Sequence, residues 1–172
     1  FSDTINGLSG SGTVNNVSIT DATLTVGGND VDSAFDGIIQ NSDTGNLALT
    51  KIGIGTLTLS GANTYCGPTT INGGRIELAT DSVGAVGSIV SSPIGTGLLS
   101  ISKGGISSGN EDAKTVLNPI AFEGPVTLGN GGHCGTVTFN AAGTLSGDAI
   151  LSVESNTVLA GVITGQYGVI KQ

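Results

Sequence analysis

Apolar residues recur at every second position, in bursts of four or five, and glycine-rich breaks separate the bursts. Thr23-Leu24-Thr25-Val26, Thr56-Leu57-Thr58-Leu59, Arg75-Ile76-Glu77-Leu78 and Leu99-Ser100-Ile101-Ser102 show the pattern. Val126-Thr127-Leu128, Thr136-Val137-Thr138-Phe139 and Ile150-Leu151-Ser152-Val153 continue it. Alternation of period two sends one set of side chains to one face of a strand and the next set to the other. The inner set is Leu, Ile and Val. The outer set is largely Thr and Ser, and threonine's branched Cβ suits a pleated surface. The breaks, Gly27-Gly28-Asn29-Asp30, Gly73-Gly74, Gly104-Gly105 and Gly129-Asn130-Gly131-Gly132, are built from residues that tolerate sharp corners. No ten-residue window carries a capped helical stripe, so an all-β chain with little or no helix is predicted.

Short strands every 8–12 residues suit a sandwich, a barrel or a solenoid. Three features select the solenoid. Connections vary in length, as when loops leave one edge of a regular coil. Aromatic residues are 3% of the chain, too few to anchor a sandwich core. The third feature is internal repetition: Phe35–Gln40 leading to Asn46–Lys51 resembles Leu159–Thr164 leading to Tyr167–Lys171, some one hundred and twenty residues on. At roughly 20–25 residues per coil, 172 residues make roughly seven or eight coils and a rod of roughly 35–40 Å. Asn and Thr ladders are expected to satisfy polar corners.

Composition excludes several function classes. The net charge is −8, with 13 acids against 5 bases and a single arginine, Arg75. Nucleic-acid binding needs clustered Lys and Arg, and docking on anionic lipid needs the same. No apolar run approaches a membrane-spanning length, so no membrane insertion is expected in this segment. The chain lacks Met and a signal peptide, which reads as a processed or excised piece of a longer protein. Cys66 and Cys134 lie 68 positions apart and make no metal motif. They form one disulfide if the fold brings them together; the preferred reading is two small, half-buried residues at Ser or Thr positions.

The stretch Lys51-Ile52-Gly53-Ile54-Gly55-Thr56-Leu57-Thr58-Leu59-Ser60-Gly61-Ala62-Asn63-Thr64-Tyr65, followed by Cys66-Gly67-Pro68-Thr69-Thr70-Ile71-Asn72-Gly73-Gly74-Arg75-Ile76-Glu77-Leu78, resembles the autotransporter-associated β-strand repeat of bacterial surface proteins. The family pattern is Lys-x-Gly-x-Gly-Thr-Leu-Thr-Leu-Ser-Gly-x-Asn-Thr-Tyr, a Gly-rich turn, Thr-Thr-Val/Ile and a last strand. Cys66, Pro68 and Arg75 depart from it, and Pro68 is expected at a turn because it lacks an amide donor. The resemblance implies a right-handed parallel β-helix, a single solenoid segment over 1–172 with its best repeat at 51–78. It also implies a cell-surface or extracellular location, with anchoring through a part outside this segment. The function implied is a structural spacer or adhesin segment of a passenger region. The alternative is a subunit of a filament built by end-to-end stacking; the third is a polysaccharide-acting enzyme. Partners implied are other segments of the same protein, identical chains, or host-surface ligands.

No catalytic, cofactor or metal residue is assigned. Asp30, Asp32 and Asp36 lie in one glycine-bounded stretch rather than as a pair flanking a sugar. Arg75 is alone as a stabiliser of an enolate-like charge. Gly28–Ser33 could hold calcium through oxygen ligands, but one copy does not make a calcium roll and Ala34 breaks an EF-hand pattern. His133-Cys134 lacks a third ligand and sits in an exposed turn; Gly53-Ile54-Gly55 is no phosphate loop; Asn16-Val17-Ser18 is an accidental glycosylation match.

Overall fold

The computed structural model describes residues 2–133 and 135–171, and none of these is helical. The backbone winds around three faces, two of which carry a strand in nearly every turn and the third only in some. Face A stacks eight strands: Asp3–Ile5, Ala22–Val26, Leu47–Lys51, Thr69–Ile71, Leu99–Ile101, Ile120–Phe122, Gly143–Leu145 and Ile163–Gly165. Face B stacks seven: Ser33–Phe35, Thr56–Leu59, Arg75–Leu78, Gly104–Ser108, Val126–Leu128, Ala149–Val153 and Val169–Lys171. Face C is built of Thr13–Asn16 with Ile38–Asn41, and of Lys114–Val116, Val137–Phe139 and Thr157–Leu159. Every pairing within these faces is parallel and joins one turn to the next.

Register along face A measures the turns. Asp3 opposes Leu24, which opposes Leu49, then Thr69, Leu99, Ile120, Gly143 and Ile163. The seven steps are 21, 25, 20, 30, 21, 23 and 20 residues. Seven steps at the ~4.8 Å strand spacing make a stack about 34 Å long. The 30-residue step carries an excursion: Val83–Ala85 and Ser88–Ser91 form an antiparallel hairpin outside the solenoid faces. Val83, Val86 and Val90 on it are more than half exposed.

The core is a single column. Leu49, Leu57, Leu59, Ile71, Ile76, Ile94, Leu99, Ile101, Ile106 and Phe122 are fully buried, and one contiguous cluster runs from Leu8 to Leu151. Stacking, not any one turn, removes this apolar surface from water. Between Gly55 and Gly73 every odd-numbered residue is buried and every even-numbered one is half-buried or exposed, so alternation continues around the corners. Glycine takes the inward corner position where a turn leaves no room. A Cβ on Gly61 would lie 1.8 Å from the Gly37 carbonyl oxygen of the preceding turn.

Buried amides serve the interior corners. Asn63 accepts a hydrogen bond from the Ile39 N–H (2.7 Å) and donates to the Pro93 carbonyl (2.6 Å), joining three turns. Asn118 donates to the Gly95 and Gly97 carbonyls, and Asn16 to those of Thr20, Gly45 and Asn46. A buried unpaired backbone group costs about 1–3 kcal/mol, so these amides keep the corners dry without that penalty. Pro68 lies at the corner before Thr69–Ile71, as its missing N–H requires, and its carbonyl accepts from Leu49 N.

Two readings need correction. Gly104-Gly105 is not a break; both residues lie in the Gly104–Ser108 strand, with Gly104 entering it at φ +108°. The two distant look-alike stretches are not equivalent positions. Ile38–Asn41 is on face C and Leu47–Lys51 on face A, whereas Ile163–Gly165 is on face A and Val169–Lys171 on face B. All corners share the same apolar–glycine–apolar demand, so similar strings arise at different corners.

Candidate functional site

The acids prominent in the sequence are placed as inter-turn fasteners. Asp30 accepts from Ile54 N (3.0 Å) and Asp32 from Thr56 N (2.7 Å), each one turn on. Asp36 accepts from the Ser60 hydroxyl, and Asp21 and Asn41 accept from the amides of Asn46 and Cys66. The spacing is 24 or 25 residues in all five cases, the length of that turn. Asp30 has φ +61°, which turns its carboxylate back over the next corner. A carboxylate accepting a backbone N–H is a charge-assisted bond, stronger than a neutral one. No group of three or more His, Cys, Asp or Glu placed to hold a metal occurs among the described residues.

Lys51 faces inward, in the column that holds Val26 and Ile71, and is 1% exposed. Its ammonium donates to the Ile52 carbonyl (2.6 Å) and weakly to that of Gly53 (3.5 Å). Burial lowers its pKa, while the Asp30 and Asp32 carboxylates pull it back up. The stem packs as a hydrophobe and the head reaches the corner between faces A and B. Tyr65 is fully buried; its hydroxyl shares a 2.6 Å hydrogen bond with Thr69, which donates to the Ile94 carbonyl. Burial pushes the Tyr65 phenol well above its usual range, an effect the Thr69 bond only partly offsets.

Arg75 is not aimed at a cavity. It lies along the outside of face B, donating to the Gly129 carbonyl and pairing with Glu154 at 3.1 Å. Gly105, directly beside it in the next turn, has no side chain to obstruct this path. Glu77 accepts from Asn130 (3.0 Å), a bond that spans the turn carrying Ser107. His133 sits in the Asn130–His133 turn, with Nδ1 3.8 Å from Glu111. Cys66 carries an exposed free thiol, not the half-buried one expected, because its even position turns it outward; Cys134 lies outside the described residues, and with it the disulfide question. Asn16 is 9% exposed and its amide nitrogen is committed to three carbonyls, which leaves no room for a glycan on it.

Two surface depressions are lined by few titratable groups. One, of about 290 Å³, has Asp3 alone among Val14, Asn15, Asn16, Ala22 and Leu24. The other, of about 160 Å³, has Glu154, already paired with Arg75, beside Asn130, Ser155 and Asn156. A two-carboxylate mechanism has no second partner in either. The regular feature of the surface is on face A. The outward residues of successive turns are Thr4, Thr25, Thr50, Thr70, Ser100, Ala121, Thr144 and Thr164, in register.

With this geometry in place, residues 49–78 match the model of the passenger-associated-transport-repeat family. One turn of the chain and the start of the next thus resemble an autotransporter passenger repeat. The match begins inside one face A strand, passes once around the solenoid and ends with the Arg75–Leu78 strand of face B. The repeat is therefore one full turn plus the first two strands of the next. A 61-residue stretch is also 44% identical to the adhesin BmaC autotransporter of Brucella suis biovar 1 (strain 1330). That alignment covers 35% of this chain and 2% of that protein, so the chain spans only a small fraction of this relative's length. No solved structure gives a significant match.

The resemblance read from Lys51–Leu78 thus stands, and the structure supplies a reason for four of its fixed residues. Lys51, Gly61, Asn63 and Tyr65 all point inward at or beside corners. The sequence alone did not reveal that Asn16 and Asn118 do the same work as Asn63 in other turns. Odd–even parity with Val14 for Asn16, and with Val116 and Ile120 for Asn118, was the available signal.

Proposed function

We propose that this segment is a stiff, non-enzymatic spacer in the surface-exposed passenger region of an adhesin-type autotransporter. The observation that carries this reading is the continuous dry column from Leu8 to Leu151, cross-linked turn to turn by backbone bonds, buried amides and carboxylate fasteners. Such a stack resists local opening because no turn can leave without exposing the apolar faces of its two neighbours. It therefore holds whatever lies beyond it at a fixed distance. The passenger repeat and the adhesin relative support a surface setting, and the anchoring element lies in another part of the protein.

The test is made in the full-length protein on bacterial cells. Removing residues 24–162, which brings Ile163 in register to the position of Leu24, is expected to leave export intact and to reduce attachment measured against a labelled target surface. Unchanged attachment with normal surface display would defeat the spacer reading. Release of reducing sugar by the purified chain, abolished by Asp32→Asn or Glu154→Gln, would defeat the non-enzymatic one.

A further inference from the structure

We infer that the Val83–Ser91 hairpin is a processing site for an endoprotease that takes a small aliphatic side chain before the cut. The bond cut first is the one between Val86 and Gly87, and the product is a nicked rod of two chains that stay together. This goes beyond the spacer reading, because it concerns how the rod is modified and not what it holds apart.

The hairpin stands outside the stacking that protects the rest of the chain. Val83–Ala85 and Ser88–Ser91 pair only with each other, with a register shift between Val83 and Gly84. Among the described residues, no backbone hydrogen bond joins residues 83–91 to a solenoid turn. A two-stranded ribbon with no third strand is marginal in water. It opens locally while the solenoid stays closed, and proteolysis follows the population of the open form. Its tip is the turn Val86-Gly87, both residues exposed, with open space around Gly87 at φ +82°. Other exposed aliphatic residues lack this freedom. Ile54 is 82% exposed, but its N–H is held by Asp30 of the preceding turn. Ile19 lies between Ser18, whose carbonyl accepts from Gly45, and Thr20, whose carbonyl accepts from Asn16.

Side-chain chemistry selects the enzyme. Residues 82–102 contain no charged and no aromatic residue, so a protease that requires either before the cut finds no bond there. Val83, Val86 and Val90 are more than half exposed, and a small apolar specificity pocket accepts them. Hydrolysis adds one water across the bond. Its oxygen goes to the Val86 carbonyl carbon, which becomes a carboxylate, and the released Gly87 nitrogen takes both protons to become an ammonium.

The roots of the hairpin keep the product whole. Asp81 accepts from Thr115 N (2.7 Å), and Ser82 N donates to the Thr115 carbonyl. Ser92 exchanges two backbone bonds with Asn63, which also donates to the Pro93 carbonyl. Each of these ties joins one side of the cut to the other. Thr69–Ile71 also pairs with Leu99–Ile101, and Arg75–Leu78 with Gly104–Ser108, again across the cut. Arg75 and Glu77 reach further still, to Glu154 and Asn130. Cleavage therefore removes a covalent link without removing a rung.

The experiment treats the whole 172-residue chain with pancreatic elastase, and in parallel with trypsin, and reads new amino termini by mass spectrometry over time. The first elastase cut is expected within the hairpin, with Gly87 the leading new terminus. Trypsin, which has no basic residue to use between 76 and 102, should leave that stretch whole. The two elastase fragments should co-elute at the size of the uncut chain, keep its circular dichroism spectrum, and separate in urea. Val86→Asp should slow the first elastase cut by at least about tenfold, whereas Ile54→Asp should not change it. Val86→Arg keeps the readout if the aspartate disturbs the hairpin, since it should open the same bond to trypsin. A first elastase cut outside 83–91, fragments that part without denaturant, or a Val86→Arg hairpin that trypsin leaves whole would each overturn the inference. None of these outcomes bears on attachment by the full-length protein, so the spacer reading stands or falls separately.

Discussion

Tyr65→Phe should reverse the sign of its stability effect between neutral and alkaline pH. The chain has two tyrosines and no tryptophan; Tyr65 is fully buried and Tyr167 is half exposed. At neutral pH the variant loses the bond to Thr69, whose hydroxyl keeps its own bond to the Ile94 carbonyl. That loss is about 1 kcal/mol. Above pH 10 the unfolded chain releases a phenol proton that folded Tyr65 retains, because burial raises its pKa. Stability then falls by about 1.4 kcal/mol per pH unit, present in full below pH 10 and lost as pH rises. At pH 11.5 the loss is about 2 kcal/mol in the parent and absent in the variant. For a 172-residue chain this is a fall of about 6 °C in the parent's melting temperature; against the variant's constant deficit of about 1 kcal/mol it leaves the variant about 3 °C ahead at pH 11.5, so the two curves cross between about pH 10.5 and 11. Lys51 titrates in both proteins and cancels from the difference. Tyrosinate absorbance gives a second readout: the share that belongs to Tyr65 should rise only with unfolding. Parallel melting curves for the two proteins across pH 9–11.5, or ionisation of Tyr65 before unfolding, would refute the reasoning.

Deleting residues 143–162, one 20-residue turn between Gly143 and its partner Ile163, should leave a folded rod one rung shorter. Deleting 143–152 should unfold the turns beyond it; scattering and circular dichroism distinguish the two outcomes. Asp32→Ala should cost about 1.5–3 kcal/mol in urea unfolding, since it strips a charged acceptor from Thr56 N, with Asp32→Asn losing less. Calcium at millimolar concentration, or its removal with chelator, should leave the melting temperature within about 1 °C, because these carboxylates already serve backbone amides. Gly61→Ala should cost about 2–4 kcal/mol, as its Cβ would meet the Gly37 carbonyl of the adjacent turn.

The solenoid was legible because its signal is local. Thr56–Leu59, Arg75–Leu78 and Val126–Leu128 each alternate cleanly, and each is a face B strand. Parity also carried Lys51 inward with Leu47 and Leu49, although its charge argued for solvent. What failed to show was long-range. Nothing local separates the Val83–Ser91 hairpin from another corner, since both are apolar bursts around glycine. Gly104-Gly105 looks like a break but enters a strand, because parallel neighbours on both sides supply the pairing that its own side chains do not favour. The acids at 30, 32 and 36 looked like a loop cluster because their partners are 24 residues away.

The same distances explain how the matched repeat of 30 residues can sit among turns of different sequence. Most side-chain fasteners between turns end on a main-chain atom, with Ser60–Asp36, Asn130–Glu77 and Arg75–Glu154 among the exceptions. Asn63 bonds Ile39 N and Pro93 O; Asn118 bonds Gly95 O and Gly97 O; Asp30 and Asp32 bond Ile54 N and Thr56 N; Asp81 bonds Thr115 N. Main-chain groups are present whatever the neighbouring side chains are. A turn thus requires only that the next one be parallel, in register and apolar inside. Interface terms of this kind let sequence drift between turns while the stack persists. On face A the outward side chains of Thr25, Thr50, Thr70 and Thr144 take no part in these fasteners, so those positions are the freest to vary.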